Sequence, residues 1–419
     1  MPVTAGRSDW RRILAVFWLT SLVEGLGVSQ VFALLPLQLH TMGVTGSDRL
    51  AFVGLFGSLL FVLGLPLVPL WGVWADRYSR KAVIVRSALV EMAVFVGMAL
   101  AREPWQVALS ILAIGFQLGN TGVMLGAIRD ASPQNRLGTI LSVFGASGPV
   151  GFAVGPILAG VLIDRFGWSI SAVFALSAVL SLGTAVLVAI GSREVRPEVI
   201  PQGKAIHLAF GALRNVVADR VVRGIFIVFG LAFLASQMSR GYVPVLVEAV
   251  VGLGPGLASA IGLVAGTATL TGALLAPLTG ALGDRIGFRP VLATAFVTGG
   301  LSLAALPVLG PAVGLPGLVA LSVIFAASAS TISAMVFALL GTEVAAERRS
   351  QTLNLAYLPL YIAGIIGPAI GAAVSTVGGL AGPFILGGIV FVLGSVVVLR
   401  RRPGPHGLSA REPAPPELG

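Results

Sequence analysis

The chain has 419 residues, of which 56% are apolar by the AVILMFWYC count and 55 are glycine, while only 11% carry charge. An ordinary soluble protein carries roughly 25% charged residues, so the composition excludes a water-solvated globule and leaves lipid as the solvent for most of the surface. The absence of cysteine excludes disulfides, zinc ribbons, iron–sulfur centres and thiol nucleophiles, and the net charge of +10 awaits its placement along the chain.

Residues 1–12 form a basic lead-in with Arg7, Arg11 and Arg12. Charged or Gly/Pro-rich breaks then divide the chain into twelve apolar stretches, at 13–40, 50–74, 82–100, 105–128, 137–163, 168–190, 221–248, 256–282, 290–309, 317–341, 350–376 and 383–399. Each is long enough to cross about 30 Å of hydrocarbon as a helix. The segment 191–220 is polar, of mixed charge, with Pro197 and Pro201, and reads as a cytoplasmic linker between two six-helix bundles, 13–190 and 221–399. The tail, 400–419, opens with Arg400, Arg401 and Arg402, turns proline-rich and reads as disordered. With the N-terminus cytoplasmic, 22 of the 27 basic residues fall in inner segments and only Arg49, Arg102 and Arg165 in outer loops. That bias predicts twelve spans with both termini inside, and it removes nucleic acid as the meaning of the positive charge.

An internal repeat runs through this pattern. Gly72-Val-Trp-Ala-Asp76-Arg77-Tyr-Ser79-Arg80-Lys81 follows the second stretch and Gly280-Ala-Leu-Gly-Asp284-Arg285-Ile-Gly287-Phe-Arg289 the eighth, at an offset of 208 that also pairs Pro36 with Pro244. Gly155-Pro156 matches Gly367-Pro368 at an offset of 212. Two related halves packed face to face enclose a cavity near the bilayer midplane, and rocking about it gives alternating access.

The repeated loop, G-x-x-x-D-R-x-[GS]-R-K, resembles the signature loop of the major facilitator superfamily, over residues 13–399. A narrower likeness is to its twelve-helix drug:proton antiporter branch. Gly151-x-x-x-Gly155-Pro156-x-x-Ala159-Gly160 is similar to that branch's fifth-helix motif, with Ser142 and Ala159 at two of its glycine positions. Glu24-Gly-Leu-Gly27, with Leu35-Pro36 beyond it, resembles the acidic first-helix segment of tetracycline and multidrug exporters. The arginine usual in the fourth helix of the branch is missing, and Gly115 stands in its place. The resemblance implies an all-α membrane fold with helices 1, 4, 7 and 10 around the cavity. It also implies that the loops with Asp76, Arg77, Asp284 and Arg285 latch the outward-facing state. Small residues let helix backbones approach closely in lipid, so Gly155 and Gly367 are expected to serve the rocking interface.

Ionisable groups inside a membrane cost roughly 2.5–3.5 kcal/mol each at helix centre. Glu24 lies about 18 Å into the first helix, on one stripe with Thr20, Ser21 and Gln38, so that stripe is expected to face the cavity. A carboxyl there can exchange a proton for substrate, or can be a permanently satisfied buried acid. Glu91 in the third helix is open to either a coupling or a structural role. Arg86 is near enough to the cytoplasm to snorkel. Glu248 is expected to reach outer water. In the fourth helix Gln117, Asn120 and Thr121 are candidate cavity residues, and in the seventh Ser236, Gln237 and Arg240. Arg240 admits three readings: counter-charge to Glu24, ligand for an anionic substrate group, or outer-gate contact. Asn354, Tyr357 and Tyr361 share a face of the eleventh helix and suit aromatic or cationic ligands.

Enzyme chemistry finds no support: the histidines, His40, His207 and His406, have no metal-ligand spacing. The expectation is a monomeric secondary transporter in a bacterial cytoplasmic membrane, with no cofactor, a proton as coupling ion, and export of amphipathic or drug-like small molecules. The alternatives are a porter for a specific metabolite or lipid-like anion and, more remotely, a non-transporting membrane sensor.

Overall fold

Lipid offers backbone groups no hydrogen-bond partner, so each apolar stretch has to satisfy its own N–H and C=O groups, and a helix does this within one segment. The structure, a computed structural model, describes residues 10–197, 200, 202–344 and 358–400, and these form helices joined by short turns, with no strand among the described residues. Asn354, Tyr357, Arg348, Arg349 and the tail beyond Arg400 lie outside them.

The first half comprises α1 (Trp10–Thr41), a second span broken at Leu63 into α2 (Gly46–Val62) and α3 (Gly64–Arg77), α4 (Arg80–Leu100), α5 (Pro104–Ile114), α6 (Asn120–Ala131), a fifth span of α7 (Leu137–Gly145) and α8 (Ser147–Phe166), and α9 (Ile170–Gly191). The segment between the halves holds α10 (Ala205–Ala218), which packs on α3. The second half follows as α11 (Arg220–Arg240), α12 (Val243–Val251), α13 (Leu257–Ile286), α14 (Phe288–Val313), α15 (Leu315–Glu343), α16 (Leu358–Gly378) and α17 (Ala381–Arg400). With the second and fifth spans each taken as one helix, eleven among the described residues are long and apolar enough to cross a membrane, and the shorter apolar α5 completes the fourth span with α6. Starts are capped where the sequence supplies an oxygen. Ser79 accepts from Ala82 N, Ser169 from Ala172 N, and Asp219 from Val221 and Val222 N.

Small residues decide which helices touch, because packing in lipid depends on close backbone approach. A Cβ on Gly151 would stand 2.1 Å from Leu22 O, and one on Gly155 2.4 Å from Leu26 O, so α8 lies against α1 within the first half. In the second half Gly367 and Gly371 meet Leu234 O at 3.0 Å and Met238 O at 2.6 Å, pairing α16 with α11. Gly155 and Gly367 therefore pack helices inside each half, which corrects their assignment to the rocking interface. The adjacent prolines face the other way. Pro156 O lies 2.5 Å from the Cβ position of Gly262 on α13, and Pro368 O 2.6 Å from that of Gly54 on α2. Each Gly-Pro pair thus binds its own half through glycine and the opposite half through proline.

Further contacts between the halves lie toward the face where α2 and α13 begin. Asp164 accepts from Ser259 N at 2.6 Å, Tyr242 Oη donates to Leu50 O, and Ser58 Oγ donates to Ile365 O. Arg49 and Glu248 form a bidentate ion pair of 2.8 and 3.0 Å, each side chain 11% exposed. Glu248 is therefore held by the opposite half instead of standing free in water. The crevice between the halves is closed on this short-loop face. On the opposite, motif-loop face, Cβ positions on Gly72 and Gly280 would meet nothing within 4 Å.

Candidate functional site

The fourth span breaks at its middle, and the break builds the polar centre. From Gly115 to Gln117 the backbone N–H groups bond three residues back, to Leu112, Ala113 and Ile114, and Gly119 takes φ +98°, a left-handed conformation that glycine adopts without strain. Gly115 is needed for space as well: a Cβ there would stand 2.6 Å from Leu63 Cβ and 2.8 Å from Gly64 N, where the second span is also broken. Where the resemblance leads one to expect an arginine, two broken helices cross instead.

The break turns two amides toward the first helix. Gln117 Nε2 donates to Glu24 Oε1 at 2.6 Å and Asn120 Nδ2 to Glu24 Oε2 at 3.0 Å. Both amide residues are buried, whereas Glu24 is only partly so and keeps one side toward the crevice. Both carboxylate oxygens thus accept from neutral donors. Thr121, beside Asn120, is exposed. The Gln117 carbonyl, freed by the break, accepts from Ser87 Oγ at 2.7 Å, and Ser87 Oγ accepts in turn from Arg86 Nη2 at 2.8 Å.

Arg86 does not snorkel. Its guanidinium carbon lies 3.6 Å from the centre of the Trp71 ring, and Nε and Nη1 are buried without an acceptor among the described residues. The stacking on Trp71 holds the cation inside the half, a contact that requires α3 and α4 to be side by side.

Glu91 is 4% exposed, and its Oε1 has no hydrogen-bond partner among the described residues. It points at α1 one turn beyond Glu24, since a Cβ on Gly27 would lie 3.2 Å from that oxygen. Gln38 departs from the expected stripe. It is buried, and Nε2 donates to Met98 O at 2.8 Å, so it joins the first and third spans and does not line the crevice. Thr20 likewise donates to Val16 O within its own helix.

On the other half, Arg240 is exposed in the crevice and makes no contact with Glu24. Nη1 donates to Gln237 Oε1 at 3.4 Å, and the guanidinium carbon lies 4.9 Å from the Phe32 ring centre and 5.3 Å from that of Phe152. The counter-charge reading of Arg240 is not realised in this state. Ser236 is half-buried and donates to Ala232 O in its own helix. Tyr361 packs edge-on against Phe61 across the halves, ring centres 6.1 Å apart.

At the motif loops the two halves differ. Arg80, 4% exposed, donates from Nε to Asp76 at 2.8 Å and from Nη1 to Asp130 at 2.7 Å. Lys81 Nζ donates to Ser192 O, Arg77 to Gly203 O, and Glu194 accepts from Ser79 Oγ and from Arg80 N. This network ties the second, third and fourth spans to the chain leaving α9. Its counterparts Asp284 and Arg285 are exposed and make no ion pair among the described residues.

Sequence reasoning passed over Phe32, Phe152, Trp71 and the Arg49–Glu248 pair. Nothing local marks them: two phenylalanines among 21 look like any others, and Arg49 and Glu248 are 199 residues apart.

A family profile described as Major Facilitator Superfamily matches residues 17–268 and 257–418. "Multidrug resistance protein MdtG" of Citrobacter koseri is 30% identical over 292 residues, 69% of this chain and 70% of that protein. The protein of the same name from Serratia proteamaculans is 30% identical over 293 residues, 68% of each. Among solved structures, the nucleoside transporter NupG superposes with a TM-score of 0.76 at 16% identity, over 92% of this chain and 99% of that one. The human organic anion transporter MFSD10 superposes at 0.67 and 18% identity, over 93% and 99%. At such identities these structures speak to the fold alone.

Proposed function

Because this chain belongs to the Major Facilitator Superfamily, and is a multi-pass membrane transporter of small molecules and not an enzyme, we propose that it exports amphipathic, drug-like compounds across a bacterial cytoplasmic membrane in exchange for protons. The observation that carries the proposal is Glu24: a carboxylate halfway through the first span, partly open to the crevice, held by two amide donors and, among the described residues, by no cation. The relatives' name, multidrug resistance protein, supports the substrate class.

The chemistry follows from the donor set. An ionised Glu24 offers acceptor lone pairs to both Gln117 and Asn120. Protonation turns one oxygen into a donor and removes the charge that strengthened both bonds, so each amide is held more weakly. Both amides sit at the break of the fourth span, where the backbone is least constrained, so the proton is read out as a change in that span. Alternating access then carries the group to the other side. In this reading Glu91, sealed behind Gly27, exchanges protons only by way of Glu24. Thr121, Arg240 and Tyr361 form the wall that substrate meets, with Gln117, Asn120 and Gln237 buried behind it. The motif-loop face is cytoplasmic, both termini lie on that side, and the crevice is in its inward-open form. The transporter acts as a monomer and uses no cofactor beyond the coupling proton.

The test is Glu24→Gln in proteoliposomes with an imposed pH gradient. The variant is expected to keep its thermal unfolding temperature and to lose pH-driven accumulation of amphipathic dyes, while energy-independent counterflow persists. Undiminished pH-driven transport would remove Glu24 from the coupling.

A further inference from the structure

Arg240 is a cation deep in a lipid-embedded protein, and no acidic side chain among the described residues answers it. Such a group is costly to insert and is retained where it meets water, a partner or a ligand. Its surroundings are built rather than incidental. Two rings from the opposite half, Phe32 and Phe152, flank the guanidinium at 4.9 and 5.3 Å. Cation–π contacts fix a guanidinium by its face and consume none of its N–H donors. Of its five donors, one is engaged, in a 3.4 Å bond to Gln237. The remaining edge is exposed in the crevice. A planar fork of unspent donors is the group that recognises a carboxylate or a phosphate-like anion in bidentate fashion.

The neighbouring surface says what such an anion carries with it. Beside it Val31, Leu35, Phe56 and Leu60 line an apolar niche of about 10 Å³, room for a single water in this state, which shares both Phe32 and Gln237 with the surroundings of Arg240. An apolar body laid against this wall, not inside the niche, places its charged end at the guanidinium. A cationic ligand at the same position would be repelled by Arg240.

We infer that Arg240, beside Phe32 and Phe152, is the receptor for the anionic group of an amphipathic substrate, whose apolar part lies against the apolar wall next to it. This deepens the export reading and rests on it for the word substrate, but the binding preference stands by itself and can be measured without any gradient.

The experiment uses the full chain in lipid nanodiscs and three probes: naphthalene-2-carboxylate, the neutral naphthalene-2-carboxamide, and acetate. The wild type is expected to bind the naphthoate about tenfold or more tightly than the amide, the fold-change that hydrogen bonds to a charged group support, and acetate is expected not to compete at the same concentration. Arg240→Gln is expected to erase the preference for the carboxylate, and Arg240→Lys, which keeps the charge but not the fork, to retain part of it. Equal binding of amide and carboxylate by the wild type overturns the inference even if Arg240→Gln fails to fold, and so does an undiminished preference in Arg240→Gln. Acetate competing as well as naphthoate overturns the amphipathic part. A preserved preference with no pH-driven transport of any probe would instead defeat the export reading and leave the receptor standing.

Discussion

Glu24 shows how a part-buried carboxylate can be held by neutral donors alone among the described residues. Two amide donors at 2.6 and 3.0 Å occupy its oxygens, and hydrogen bonds to a charged group are worth roughly 1.5–3 kcal/mol each. Removing one should therefore matter to the step in which Glu24 changes protonation. Gln117→Ala is expected to slow pH-driven transport by about tenfold with little change in thermal stability, measured as initial rates in proteoliposomes. A rate equal to wild type would show that Asn120 suffices. Gln38, by contrast, is spent on Met98 O, so Gln38→Ala is expected to lower the unfolding temperature and to leave the apparent KM for transported dyes unchanged.

Among the elements, glycine sets the distance between helices, and a methyl group is enough to test it. A Cβ on Gly155 would approach Leu26 O to 2.4 Å and Ser29 Oγ to 2.2 Å. The serine can rotate away, but the carbonyl belongs to the backbone of α1 and cannot. Gly155→Ala is expected to destabilise the first half by about 1–3 kcal/mol, the usual range for overpacking, read as a lower unfolding temperature in detergent. Wild-type stability in that variant would mean that α1 and α8 can part at little cost. The fourth span is a different case. There the break itself is functional, since a continuous helix would turn Gln117 and Asn120 to other faces. Gly119→Ala, at φ +98°, forces a side chain into a left-handed conformation costing roughly 1 kcal/mol. It is expected to weaken pH-driven transport more than stability.

For the whole molecule, the question is what holds one face shut. Arg49 and Glu248 join the halves by two bonds in a largely dry setting, while Asp164 secures the start of α13 at Ser259. Breaking the pair should shift the population toward the state open on the short-loop face. Arg49→Ala is expected to favour that state by about 1–2 kcal/mol, or roughly five- to thirtyfold, and the double exchange Arg49→Glu with Glu248→Arg to restore part of the balance. The chain contains no cysteine, so spin labels on introduced cysteine pairs report the separation of the halves without background. Unchanged distance distributions in Arg49→Ala would show that the helix contacts alone keep this face closed.

Composition, span length and the repeat at offset 208 were enough to establish a lipid-solvated pair of six-helix halves, because hydropathy and backbone satisfaction in lipid are properties of each segment taken alone. The midspan position of Glu24 could also be counted out along a helix. Its partners could not. They depend on a break in the fourth span whose cue, Gly115 and Gly119, reads in sequence only as a missing arginine. Likewise Arg240 could be placed in the seventh span, but its separation from Glu24 and its seat beside Phe32 and Phe152 arise from which helices cross and at what depth. Tertiary packing also reassigned Gly155 and Gly367 from the moving interface to the static one and turned Gln38 away from the crevice. Helical periodicity tells which residues share a face. Only the approach of a second helix, set by small residues far away in the chain, decides what that face meets.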